Sequence, residues 1–442
     1  MFSNIINVAV VIFFAMYLWR FFKITKTYFI VIVLHIFFAF WLVVSVAFIE
    51  SGVYNKDLLT ITYFNFSTLK LVFYEIVFFE TVLFWYRRSK IKCYEYDYVG
   101  TSFVKERNHQ IILLISGCYS IYAFLNMLIS ENTFTNSSVT RFNFYTTYSA
   151  LPFAQVISYF AQPIALLLGF VLCRSRRRKR KIFSLFIFLL LIIANYGTGN
   201  EFGTLLYLGV YYITPIGIDL FGTIEWKTTK EWTKTLLVKY KKYIILVGIA
   251  FLAVCIIKIR SFSKVNIFAQ YASTPFAAFL YRAFALQGDV WWAVDVKVAG
   301  GFNDIVHFFQ ELGGLFGLVK EQDLGINYLM KLILPQSSLD NYLWGNAQLM
   351  SGYPAINIAM FGYIGTIPVI ILEATIFAKF STYVYKKIIK QQYLYSFLAF
   401  FVYIQFLKIY NISGYHNICN IIPAVFIFLL IFAKAIIGIK SN

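Results

Sequence analysis

Charge is what this sequence has least of. Asp, Glu, Lys and Arg make up 13% of its 442 residues, against about 25% in an ordinary soluble domain. That shortage excludes a chain solvated over most of its surface. Paired cysteines are missing too. Cys93, Cys118, Cys173, Cys255 and Cys419 are dispersed, with no CxxC pair, which excludes a disulfide scaffold and a structural zinc site and leaves free, buried thiols as the expectation. No P-loop, no GxGxxG opening a helix after a strand and no HExxH occurs, so a soluble nucleotide-dependent enzyme and a metalloprotease are both disfavoured. The first apolar run lacks a small-residue cleavage site and leads instead into Arg20 and Lys23. It is expected to be retained as a span.

What remains is apolar. Hydrophobic residues make up 60% of the chain and the mean hydropathy is +0.70. Apolar runs fall at about 4–22, 28–49, 68–86, 110–129, 149–172, 182–196, 202–219, 243–259, 356–378, 392–410 and 417–437, each near the roughly 20 residues that a hydrocarbon core requires. The expectation is an all-α, polytopic membrane protein of about eleven transmembrane helices. Helices one to eight occupy residues 1–259, a large loop 260–355, and helices nine to eleven 356–442.

The formal charge of +19 is placed rather than spread. Arg20, Lys23 and Lys26 follow the first run, Arg87, Arg88, Lys90 and Lys92 the third, RSRRRKRK (174–181) the fifth, Lys227 to Lys242 the seventh, Lys386, Lys387 and Lys390 the ninth, and Lys440 the eleventh. Every odd-numbered run thus leads into a basic segment, the pattern of cytoplasmic loops. It predicts an inner-membrane protein with its N-terminus outside, its C-terminus inside and residues 260–355 outside. Nucleic acid is not an expected partner, because no soluble basic domain is visible.

That orientation selects the candidate chemistry. Arg141, Arg260 and Arg282 fall on the outer side, where positive charge is scarce. A guanidinium fork donates two parallel hydrogen bonds to phosphate oxygens, which suits a diphosphate; each could instead pair with a local carboxylate or reach a lipid phosphate. The run YRAFALQGDVWWAVD (281–295) would put Arg282, Leu286 and Asp289 on one helical face, with Asp289 placed to orient Arg282. Trp291 and Trp292 can stack on sugar or anchor at the membrane interface. His307 is spaced from Asp304 and Glu311 so that a carboxylate could hold it as a general base; His416 is a weaker candidate. In the same stretch, Ile305, Phe308, Phe309, Leu312, Leu315 and Phe316 suit one face of a surface-lying helix. Glu75, Glu80 and Glu373 lie within spans, where pairing with a cation from a neighbouring helix is expected. Glu95 and Asp97 have the look of a metal-binding acidic pair, but topology puts them on the cytoplasmic side, away from the outer candidates.

Two stretches, NYGTGNEFGTLLYLGVYYI (195–213) and LILPQSSLDNYLWGNAQLMSGYPAINIAMFGYIGTIPVI (332–370), together with a large outer loop before the ninth span, resemble the bacterial O-antigen polymerases. Asn200 and Glu201 stand where many relatives carry a basic residue, so a phosphate is not expected at that turn. The resemblance implies a metal-independent, GT-C-like glycosyltransferase fold without a cofactor. It implies an oligosaccharide on undecaprenyl diphosphate as substrate, with membrane lipid and a chain-length regulator protein as partners. Arg282, His307 and Asp289 would be catalytic, and Arg260, Arg141, Gln287, Trp291 and Trp292 would bind substrate. A lipid-linked oligosaccharide flippase, the related O-antigen ligase and a membrane-bound acyltransferase are the alternatives.

Overall fold

In the computed structural model the residues described are 2–25, 28–52, 58, 64–89, 103–136, 138–139, 143–200, 204–223, 284–344, 349, 352–412, 414–415 and 425–432. They form an all-α, multi-pass membrane-spanning protein, with no strand among the described residues. In chain order the helices are α1 (Phe2–Thr25), α2 (Phe29–Glu50), α3 (Ser67–Arg88), α4 (Phe103–Ile129), α5 (Ala154–Ser158), α6 (Ala161–Arg174), α7 (Arg178–Gly197) and α8 (Gly209–Thr223). After them come α9 (Asp289–Ala299), α10 (Ile305–Gly313), α11 (Gly325–Ile333), α12 (Gln336–Trp344), α13 (Ala355–Ile389) and α14 (Tyr393–Ile412). Among the described residues, five segments are long and apolar enough to cross a membrane: Ser3–Thr25, Val31–Glu50, Arg107–Ile129, Arg178–Gly197 and Ala355–Ile389. Shorter apolar helices occur at Ala161–Arg174, Leu206–Ile218 and Tyr393–Leu407.

The helix ends sort into two poles. Tyr28, before α2, stacks on Tyr86 of α3, bonds Ser89 and lies against Tyr385 of α13. His109 of α4 and Phe170 of α6 both meet Tyr393, at the start of α14. These contacts gather Lys23, Arg87, Arg88, Arg107, Arg174, the 176–181 run, Lys386 and Lys387 at one basic pole. At the far end Glu50 of α2 caps α3, and Thr133, just past α4, bonds the last carbonyl of α7. Helices α1, α3, α6, α8 and the long limb of α13 therefore run toward the basic pole, while α2, α4, α7 and α14 run away from it. This is the alternation that the Lys and Arg pattern requires.

Two expected spans take a different form, and two more lie wholly or largely outside the described residues. The run 149–172 is broken into α5 and α6, with Phe153 in the left-handed region before α5 and only 14 residues in α6. The run 243–259 lies outside the described residues, as does all of 417–437 except 425–432. The ninth run is not one straight crossing. Asn357 Nδ2 lies 2.9 Å from Glu373 Oε2, yet a straight helix would separate positions 16 residues apart by about 24 Å. The chain reverses at Gly362, whose φ of 65° and ψ of −177° belong to a region that essentially only glycine occupies. Residues 355–361 thus form a short first limb folded back on the long limb 363–389.

That reversal puts backbone deep in the bundle. Tyr353, just before the first limb, packs edge-on against Phe78, and Phe377 of the long limb meets the same ring. Phe78 is 11 residues along α3, about 16 Å from its start, roughly halfway through a 30 Å hydrocarbon core. Residues 355–360 are fully buried, as irregular backbone at this depth must be if lipid is not to meet its polar groups.

Candidate functional site

The pole opposite the basic one is built around buried carboxylates that accept from donors on other parts of the chain. Helix α3 starts after Phe66 in the left-handed region and has no side-chain cap of its own. Its first N–H groups would be orphaned. Glu50, the last residue of α2, supplies the missing acceptors: one carboxylate oxygen takes the N–H groups of Asn65 (3.1 Å) and Ser67 (2.8 Å), the other the N–H (3.1 Å) and hydroxyl (2.6 Å) of Thr68. A carboxylate at a helix N-terminus is also favoured by the helix dipole.

Against the same start of α3, Asp295 of α9 is fully buried. It accepts from Asn65 Nδ2 (3.1 Å), from the Ser67 hydroxyl, from Lys70 Nζ (3.1 Å to each oxygen) and from the Tyr363 hydroxyl (2.6 Å). Lys70 also sits 4.9 Å above the Tyr363 ring, and Tyr74 donates to the Tyr363 carbonyl at 2.9 Å. The turn of α13 is thereby tied to α3 and α9 through one carboxylate. An ion pair with a fully buried carboxylate and a partly exposed lysine holds geometry because removing the lysine strands the acid.

At half depth, the limbs of α13 enclose a third carboxylate. Glu373 receives Tyr353 OH (3.1 Å) and Asn357 Nδ2 (2.9 Å) on one oxygen and Tyr415 OH on the other, while Tyr415 OH also lies 2.6 Å from Asn357 Oδ1. Among its described contacts, this intramembrane acid meets tyrosine hydroxyls and an amide. The stretch 352–370 quoted above thus contains Tyr353, Asn357, the reversal at Gly362 and Tyr363, all of which shape the site.

The fourth cluster belongs to α10. Asp304 caps the helix by accepting from His307 N. His307 is buried and stacks on Tyr328, the ring centroids 3.4 Å apart. Its Nδ1 lies 2.9 Å from Gln310 Oε1 and its Nε2 3.2 Å from Glu311 Oε1; Glu311 also accepts from Gly325 N. Tyr328 donates to Asp304 at 3.0 Å. Burial, and then the Asp304 charge, hold the Tyr328 hydroxyl above the ordinary tyrosine range.

The candidates named from the sequence are distributed unevenly over this frame. Arg141, Arg260, Arg282 and His416 lie outside the described residues, as do Glu95 and Asp97. Gln287 and Asp289 are buried at the start of α9. This segment is packed so tightly on α2 that a Cβ at Gly288 would come within 2.7 Å of Val46 N. Trp291 and Trp292 are fully buried; the Trp291 indole donates to Ser67 O at 3.0 Å and its ring meets Tyr74 edge-on. They face protein, so in this arrangement they frame the site from behind. His307 is brought to Glu311 and, through the Asp304 cap, to its other expected carboxylate, with both ring nitrogens against acceptor oxygens. Lys70, Asp295, Tyr363, Tyr353, Asn357 and Tyr415 were not singled out by sequence. Tyr353, Tyr363 and Tyr415 each stand beside a Gly or Pro, whereas Lys70, Asp295 and Asn357 carry no such local signal.

A family of unknown function, DUF6418, matches residues 320–431, about a quarter of the chain, from the approach to α11 through the α13 hairpin and α14. No curated protein matches the chain, and no solved structure does.

Proposed function

We propose that this protein is an O-antigen polymerase: a membrane glycosyltransferase that moves the growing glycan from undecaprenyl diphosphate to a hydroxyl of the next lipid-linked repeat unit. The observation that carries the reading is the fold-back at Gly362. It turns the stretch on which the resemblance rests into a buried, polar re-entrant hairpin, and it does so next to α9, which continues the arginine-bearing run 281–295. Membrane proteins place substrate sites where spanning helices are broken in this way.

In this reading the architecture is an eleven-span, GT-C-like one in a bacterial inner membrane. The polar pole faces the periplasm and the basic pole the cytoplasm, with the N-terminus outside and the C-terminus inside. Arg282 and Arg260, assisted by Arg141, bind the diphosphate and stabilise the charge that develops on it as the glycosidic bond to phosphate breaks, with no metal required. Asp289 orients Arg282. Gln287, Trp291 and Trp292 back the sugar site and shape it from within the protein. His307 or a neighbouring carboxylate takes the acceptor hydroxyl's proton; for His307 to do so, its contact with Gln310 or Glu311 must first open. A chain-length regulator would act on this enzyme from outside.

The test is the lipopolysaccharide ladder of a strain lacking the chain, complemented with the wild type or with Arg282→Ala. The deletion should leave core bearing a single repeat unit, and Arg282→Ala should fail to restore long chains while the protein remains in the membrane. Loss of all repeats in the deletion would point to the ligase or flippase, and normal ladders with Arg282→Ala would overturn the assignment of the arginine.

A further inference from the structure

Helix α10 is amphipathic the wrong way round for a surface in water. His307 and Glu311 face inward and are buried, while Ile305, Val306, Phe309 and Leu312 face outward and Phe316 and Leu318 continue the face beyond the helix. Phe309, Phe316 and Leu318 are 66%, 72% and 78% exposed. Sequence periodicity put Phe308 on this face as well; it turns inward instead, onto Phe361 and Tyr415. The polar stripe is tied down. His307 bonds Gln310 and Glu311, Glu311 accepts from Gly325 N, Tyr328 donates to Asp304, and Asp304 N donates to Ala359 O at 2.9 Å. Rolling the helix to hide its apolar face would break this set and leave buried polar groups without partners, so the apolar face points outward in every state that keeps the network.

We propose that this face lies in the boundary between acyl chains and head groups of the bilayer, and that α10 is the interfacial anchor of residues 284–344. The occupant follows from three observations. First, the face adjoins the outward apolar surface of a spanning limb: Phe308, on the same helix, packs on Phe361 beside the α13 reversal, and just past it Ile364 is 85% exposed, followed outward-facing by Ile371, Leu372 and Ile376. Second, none of the exposed residues from 305 to 318 is charged. The first charge beyond them is the exposed Lys320, placed where an ammonium can reach a lipid phosphate. Third, the face is permanently outward, so its cover must be permanently present, which a membrane is and a transient protein partner is not. The attachment at Ala359, at the end of the hairpin, sets α10 at the edge of the hydrocarbon layer. This proposal does not depend on the polymerase reading.

The full chain, with its five natural cysteines replaced by serine, is reconstituted in phospholipid nanodiscs and spin-labelled at Phe309→Cys, Phe316→Cys or, as the aqueous reference, Lys320→Cys. Power saturation then compares access of lipid-dissolved oxygen with access of a water-soluble nickel chelate. The expected oxygen-to-nickel ratio at both phenylalanine positions is several-fold above that at Lys320→Cys. Leu318→Cys, at the most exposed of these positions, gives an independent reading where packing is least disturbed. Nickel access equal to that at Lys320→Cys would place the face in water and overturn the proposal. Protection from both relaxers would also overturn it, by showing that protein covers the face.

Discussion

At the basic pole most charge stands outside the fold: Arg177, Arg178 and Lys179 are exposed and make no ion pair among the described residues. At the opposite pole charge is inside it. Glu50, Asp295 and Glu311 are buried, and every one is met by donors from another part of the chain. The two poles use the same kind of group for different ends. Exposed charges at helix ends set which way the helices run and contribute little to holding them together, whereas buried carboxylates do the reverse. Substitutions at the two poles should therefore differ sharply. Asp295→Ala strands Lys70, Asn65, Ser67 and Tyr363 at once and should cost about 3–5 kcal/mol, as breaking a buried pair does. Neutralising Arg178 and Lys179 to Gln should change stability by no more than about 0.5 kcal/mol. Unfolding midpoints of the protein in nanodiscs read both, and a similar loss at the two poles would erase the distinction.

How much of this the sequence discloses follows the same division. The alternation of helix direction is legible because Lys and Arg record it locally, at each helix end. The outward face of α10 is legible at Ile305, Phe309, Leu312 and Phe316, which share a 3.6-residue period. Phe308 is misplaced by that reading because its partners, Phe361 and Tyr415, are far along the chain. The Asp295 hub is hidden for the same reason. Ser67 and Asp295 are 228 positions apart, and Lys70 looks in sequence like a stray charge at the start of a span. Glu373 is visible as an intramembrane acid, but its hydroxyl and amide partners depend on a chain reversal that no periodicity announces. Tryptophans beside polar residues suggest an exposed binding surface, yet Trp291 and Trp292 are packed behind it.

The reversal is itself a second way to sharpen the comparison. Gly362 joins the Asp295 hub, through Tyr363, to the Glu373 cluster below it, and its backbone conformation excludes a Cβ. Gly362→Ala should cost about 1–3 kcal/mol in strain alone. Gly117, inside α4, is the control: a Cβ there would meet Ile187 at an ordinary 3.6 Å. Gly117→Ala should be neutral or gain about 0.5–1 kcal/mol from lower backbone entropy in the unfolded chain. Equal effects at the two glycines would mean that the hairpin is not held in the conformation described.

The smallest effect expected is a pH dependence at Tyr328. Burial, then Asp304, raises its hydroxyl above the ordinary value, which is near 10 in an unfolded chain. Below about pH 10 both states keep the proton and its contribution is fully present. Above that the unfolded chain releases the proton first, so stability falls as pH rises toward the folded value. The unfolding midpoint of the wild type should therefore lose ground to that of Tyr328→Phe between pH 9 and 11, and hold a constant difference from it below pH 9. A difference that stays flat across the alkaline range would mean that the Tyr328 hydroxyl is open to solvent. The network around His307 would then be loose enough for α10 to roll, and the permanence of its outward apolar face would go with it.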